Sequence, residues 1–103
     1  MGQLTIILWA GPALRDLEEQ LEFIGAEAPD AADRIAARIH RRVGRLARFP
    51  ELGRMVPELQ DPGLRELIEA PFRVIYERKV DQIRVLAVLR AEQDPDFEHI
   101  QER

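Results

Sequence analysis

An α+β fold with the element order β-α-α-β-β-β, an antiparallel sheet covered by an N-terminal helical hairpin, is predicted by three features of the sequence. A short apolar run over 4–9 is closed by Gly11-Pro12. Two stretches between 13 and 48 repeat their apolar residues at three- and four-residue steps. Three stretches between 64 and 90 repeat them at every second residue.

Leu4 to Trp9, with Thr5, Ile6 and Ile7 β-branched, suits a strand buried on both faces. Pro12 fits the first turn of a helix, where its missing N–H costs nothing. Leu14, Leu17, Leu21 and Ile24 then form an apolar stripe to about Glu27. Pro29 interrupts that stripe, and Asp30 is the expected N-cap of a second helix. Ile35, Ile39, Val43 and Leu46 carry the second helix to about Arg48, where Phe49-Pro50 ends it. So short a link packs the two helices antiparallel. Beside the second stripe, Arg34, Arg38, Arg41, Arg45 and Arg48 make a guanidinium ridge that either keeps the helix hydrated or seeks carboxylates or phosphates.

Residues 50–62 hold three prolines and little periodicity, and read as an ordered connector. Leu64 to Glu69 alternates and stops at Ala70-Pro71. Phe72, Val74 and Tyr76 alternate with Arg73, Ile75 and Glu77. After a turn over 79–81, Ile83, Val85, Ala87 and Leu89 alternate with Arg84, Leu86, Val88 and Arg90. Three strands so closely linked make an antiparallel meander, which the first strand joins. Asp94 to Ile100 has room for one more short helix.

At 103 residues, 46% hydrophobic and 33% charged, the chain is expected to form one domain over 1–103. Its folded surface should be about 6,000 Å² against about 17,000 Å² unfolded, enough burial for a core without staples. With no cysteine, disulfides, thiolate metal sites and thiol nucleophiles are excluded. No apolar run approaches the roughly 20 residues of a membrane span, and the N-terminus lacks the pattern of a secretory signal, so a cytoplasmic location is expected. The net charge is -4, but residues 91–103 carry five acids against one Arg, while 64–90 carry six cations against four acids. The second half of the body is mildly basic and the tail acidic.

The chain has no serine, and no phosphate-binding loop, dinucleotide fingerprint, zincin or EF-hand pattern occurs in it. His40 reads as a surface imidazole, and His99 lies in the acidic tail. No catalytic residue, metal or cofactor is therefore expected. What remains is arginine on strands, Arg65, Arg73, Arg84 and Arg90, which faces solvent or lines a groove able to hold a phosphodiester. Alternation places Tyr76 with Phe72 and Val74, a face expected to be core.

The succession Trp9, Pro12-Ala13, Asp16-Leu17, Pro29-Asp30-Ala31-Ala32, Phe49-Pro50-Glu51-Leu52-Gly53-Arg54, Leu64-Arg65-Glu66-Leu67 and Phe72-Arg73-Val74-Ile75-Tyr76, closed by Val85 to Leu89, resembles the ParE branch of the ParE/RelE toxin superfamily over about residues 4–90. The resemblance implies a RelE/ParE-like fold and the toxin of a type II toxin-antitoxin pair. It also implies a cognate ParD-like antitoxin, whose helix and extended segment lie along the toxin in a hetero-oligomer, burying roughly 1,600 Å² in total. ParE-like toxins inhibit DNA gyrase, whereas RelE-like toxins cut messenger RNA on the ribosome with basic residues and often a C-terminal tyrosine. Nothing after Arg90 resembles that tyrosine, and Leu89-Arg90-Ala91-Glu92-Gln93-Asp94 departs from the basic cluster with which relatives commonly end. The resemblance therefore points to gyrase inhibition by binding, without direct nucleic-acid or membrane contact. The alternatives are a ribosome-dependent endonuclease and a weakly toxic or inactive structural partner. Arg65, Arg73 and Arg90 are the expected target contacts. Leu17, Leu21, Arg38, Arg45, Phe72 and Val74 are the expected antitoxin contacts.

Overall fold

The computed structural model describes residues 4–93 and 95. The elements are β1 (Ile6–Trp9), α1 (Gly11–Glu27), α2 (Pro29–Gly44), a 3-10 turn (Arg45–Ala47), β2 (Arg54–Met55), β3 (Leu64–Glu69), β4 (Phe72–Arg78) and β5 (Gln82–Arg90). The order and class are those predicted, with β2 added. The expected helix over 94–100, like most of the acidic tail, lies outside the described residues.

One sheet, in the order β1-β5-β4-β3-β2, organises the molecule. β3, β4 and β5 form the antiparallel meander, and β1 returns parallel to β5 with Ile7 opposite Ile83. The helical hairpin covers one face. Ala13, Leu17, Ile39, Val43 and Leu46 pack there on Leu67, Phe72, Val74, Tyr76, Ile83, Val85 and Val88. Asp16 ties α1 to the sheet by accepting the Val88 N–H at 3.3 Å.

A second, smaller core fills the opposite face. Val56 and Leu59, from the proline-rich connector, cover Leu64, Ile75, Leu86 and Ala87. The connector is thus a lid for half of the sheet, which is why it is apolar without being periodic.

Four sequence expectations change. β1 is an edge strand, not one buried on both faces: Ile7 and Trp9 pack under the helices, while Ile6 is 63% exposed. Asp30 is not the N-cap; α2 starts at Pro29, and Asp30 lies in its first turn, where its charge favours the exposed N–H groups. α2 ends at Gly44 and tightens into the 3-10 turn, rather than running to Arg48 as one helix. The alternation of β5 breaks as well. The ladder shifts between Ile75 and Tyr76, so that Ile75 pairs with Ala87 and Tyr76 with Val85, leaving Leu86 extra. This bulge turns Val88 toward the helices, and Ala87 and Leu89 toward the second core.

Candidate functional site

The segment that follows α2 is fastened to the middle of the sheet by one phenol. Tyr76, fully buried on β4, donates its hydroxyl to the Pro50 carbonyl at 2.9 Å and accepts the Gly53 N–H at 2.9 Å. Burial pushes its pKa above the usual phenol value. Glycine is required at 53 by space. A Cβ there would lie 2.6 Å from the Glu66 carbonyl oxygen and 2.7 Å from the Tyr76 ring. Arg65, half-buried on β3, completes the fastening by donating to the Gly53 carbonyl at 2.8 Å.

On the opposite face, a charge quartet joins three strands to the lid, with Glu66 and Arg73 buried and Arg54 and Glu58 at its exposed rim. One Glu66 carboxylate oxygen accepts Arg54 Nε at 2.7 Å, and the other accepts Arg73 Nε at 2.8 Å. Arg73 also grips Glu58 with both terminal nitrogens, at 2.9 and 2.8 Å, and donates to the Gln93 carbonyl at 3.0 Å. The guanidinium holds the Glu58 carboxyl below its ordinary range, and Glu58 and Glu66 in turn raise the pKa of Arg73. Two cations and two carboxylates balance, which is what allows charge at a site where Glu66 is 1% exposed.

Two clefts lie toward the end of α2, the larger bordered by the fastened segment. One, of about 300 Å³, is lined by Arg38, Arg41, Arg42 and Arg45 with Glu69. Glu69 is held by Arg38 Nε at 3.1 Å and Arg42 Nε at 3.6 Å, and Arg38 also donates to the Ala70 carbonyl at 3.2 Å. The other, of about 470 Å³, lies beyond Arg45 between Arg48, Phe49, Pro50, Leu52, Glu51 and Arg78. Arg78 pairs with Glu51 at 3.3 Å. The clefts share Arg45, so the ridge read from the sequence runs continuously past the end of α2. Among the described residues, no group of histidines and carboxylates is arranged to hold a metal. No helix of the described residues is long and apolar enough to cross a membrane.

Residues 7–95 match the ParE toxin family of the type II toxin-antitoxin system parDE. The chain belongs to this family. The protein Y4kP of Sinorhizobium fredii is 36% identical over 92 residues, 84% of this chain and 88% of that protein. Toxin RelE2 of Caulobacter vibrioides is 39% identical over 69 residues, 67% of this chain and 74% of that one. Among solved structures, the chromosomal ParDE system from P. aeruginosa aligns with TM-score 0.72 at 24% identity, covering 88% of this chain and 100% of that chain. The toxin-antitoxin complex RelBE2 from Mycobacterium tuberculosis aligns with TM-score 0.60 at 19% identity, covering 84% and 98%. Both share the fold.

In this ParE-family chain the structure separates the expected contact residues into two groups. Arg73 is 5% exposed and committed to the quartet, so it offers no head group to a target. Leu17, Phe72 and Val74 lie inside the helix-side core and present almost no surface, because the helical hairpin already occupies their face of the sheet. These four side chains are buried in the chain by itself. Leu21 is half-buried at the edge of that core. Arg38 and Arg45 meet in the first cleft. Arg65 is half-buried against Gly53, and Arg90 is exposed beside Glu92 at 3.1 Å. The expected core placement of Tyr76 stands.

Sequence reasoning missed Glu58, Glu66 and Arg54 as partners of Arg73, and Phe49, Leu52 and Arg78 as cleft walls. The signal in the sequence is the compact Phe49-Pro50-Glu51-Leu52-Gly53-Arg54 block.

Proposed function

We propose that this chain is a growth-arresting toxin that works in the cytoplasm by binding DNA gyrase and is held inactive by a ParD-like antitoxin in a hetero-oligomer. Family membership over residues 7–95 carries the reading. Binding without bond chemistry is supported by where the reactive groups go. The Tyr76 phenol is committed to Pro50 and Gly53, and the Arg73 guanidinium to two carboxylates. Arg65 and Arg90 stay as proposed target contacts, the first held in place by Gly53 and the second exposed beside Glu92 at the end of β5.

The likeness to the Caulobacter relative named RelE2 favours a second reading, a ribosome-dependent endonuclease. Induction of this chain alone in cells, with messages mapped by primer extension, separates the two. The gyrase reading expects growth to stop with no new 5′ ends in the first minutes, and growth to resume when a ParD-like antitoxin that binds this chain is induced as well. New 5′ ends at codon positions support the endonuclease. Unaffected growth supports a structural partner and contradicts both.

A further inference from the structure

The 3-10 turn at Arg45–Ala47 brings two guanidinium stems into line. At three residues per turn, positions 45 and 48 stand one above the other, roughly 6 Å apart along the axis, where a continued α-helix would turn them about 60° away from each other. Among the described residues, no carboxylate forms an ion pair with either. The chain then curls again beside them. The Phe49 N–H donates to the Arg45 carbonyl at 2.9 Å and the Leu52 N–H to the Phe49 carbonyl at 3.0 Å, while Tyr76 fixes Pro50 and Gly53 to the sheet. Phe49, 54% exposed, and Leu52, 37% exposed, are thereby held as an apolar wall of the cleft of about 470 Å³. Three guanidiniums, of Arg45, Arg48 and Arg78, line it against one carboxylate, Glu51, which is paired with Arg78 at 3.3 Å.

We propose that this cleft binds a free nucleoside polyphosphate, with the base stacked on Phe49 and the phosphates held by Arg45 and Arg48. An open aromatic face takes any nucleobase, because every base has a π-face to offer. Two guanidiniums in line, each able to fork onto phosphoryl oxygens, suit an anion whose charges are adjacent, as in a di- or triphosphate. Glu51, held by Arg78, is the acceptor on hand for ribose hydroxyls. The volume lies in the range of small-ligand sites, and the fastening by Tyr76 means that the apolar wall does not have to be ordered on binding. A nucleic-acid strand fits less well. It carries one charge per nucleotide, so filling both guanidiniums takes two successive nucleotides, and the single aromatic side chain of the cleft stacks the base of only one.

The proposal is independent of gyrase and of the antitoxin, and its test needs neither. Calorimetric titration of the purified full chain, without divalent cations, compares ATP and GTP with adenosine and with inorganic triphosphate. Saturable binding of both nucleotides is expected, with adenosine and triphosphate about tenfold weaker or more, since each fragment lacks one of the two contacts. Phe49→Ala should weaken ATP about fivefold or more and leave triphosphate unchanged. Arg45→Gln with Arg48→Gln should weaken ATP and triphosphate alike, about tenfold. Unchanged thermal midpoints show that the variants fold, and Arg48→Gln alone serves if the double variant does not. Triphosphate bound as tightly as ATP reduces the cleft to an adventitious anion site and overturns the proposal. So does ATP affinity unchanged in Phe49→Ala, or the absence of saturable binding up to millimolar nucleotide. An RNA oligonucleotide bound more tightly than ATP, and lost in the same variants, overturns it in favour of a strand site.

Discussion

Tyr76 Oη lies 2.9 Å from the Pro50 carbonyl oxygen, joining the centre of β4 to the segment that leaves the helices. From this one bond follow the path of the chain through Gly53, the start of β2 at Arg54, and the walls of the larger cleft.

Tyr76→Phe removes the hydroxyl and leaves the Gly53 N–H and Pro50 carbonyl without it. A loss of about 1–3 kcal/mol in denaturant unfolding is expected, with secondary structure intact by circular dichroism.

Gly53→Ala forces a methyl against the Glu66 backbone and the Tyr76 ring. Because the nearest atom is backbone, the site relieves the clash only by moving the segment. A cost of about 1–3 kcal/mol and a lower thermal midpoint are expected.

Glu66→Ala leaves Arg54 and Arg73 facing each other without their shared carboxylate, and about 3–5 kcal/mol of stability should go. Glu66→Leu combined with Arg73→Met should cost less than the two single changes together, a coupling that a double-mutant cycle reads from denaturation midpoints.

Acid sensitivity follows from Glu58. Its folded-state pKa is lowered below that of the unfolded chain, chiefly by the bonds from Arg73. Ionised Glu58 therefore adds stability above the ordinary carboxylate range, and that contribution is lost as the pH falls through this range to the lowered value. Unfolding followed from pH 7 to pH 3 should show a steeper acid limb in the wild type than in Glu58→Gln.

The legibility of the sequence divides along physical lines. Long periodic stretches were readable: the helical stripe through Ile39, Val43 and Leu46, and the alternation of Phe72, Val74 and Tyr76, point inward as expected. Features that depend on distant neighbours were not. Nothing local distinguishes an edge strand from a central one in Ile6 to Trp9, since its exposure is set by having a partner on one side alone. Arg73 looked like a surface cation because alternation gives its face but not what covers it. The cover is Val56, Leu59 and Glu58, from a connector without periodicity. The bulge in β5 is equally silent, as Leu86, Ala87, Val88 and Leu89 are all apolar and either register fills both faces. At the candidate site, the spacing of Arg38, Arg41, Arg45 and Arg48 was visible as a ridge. The cleft it borders arises only when Tyr76 draws Pro50 to the sheet.

The proposal that this ParE-family chain inhibits by occupation stands or falls on gyrase assayed in vitro with the purified, antitoxin-free chain and relaxed plasmid. Dose-dependent loss of negative supercoiling, weakened by Arg90→Ala in a folded variant, is the expected result. Full supercoiling at large molar excess of a chain that still arrests growth would contradict it.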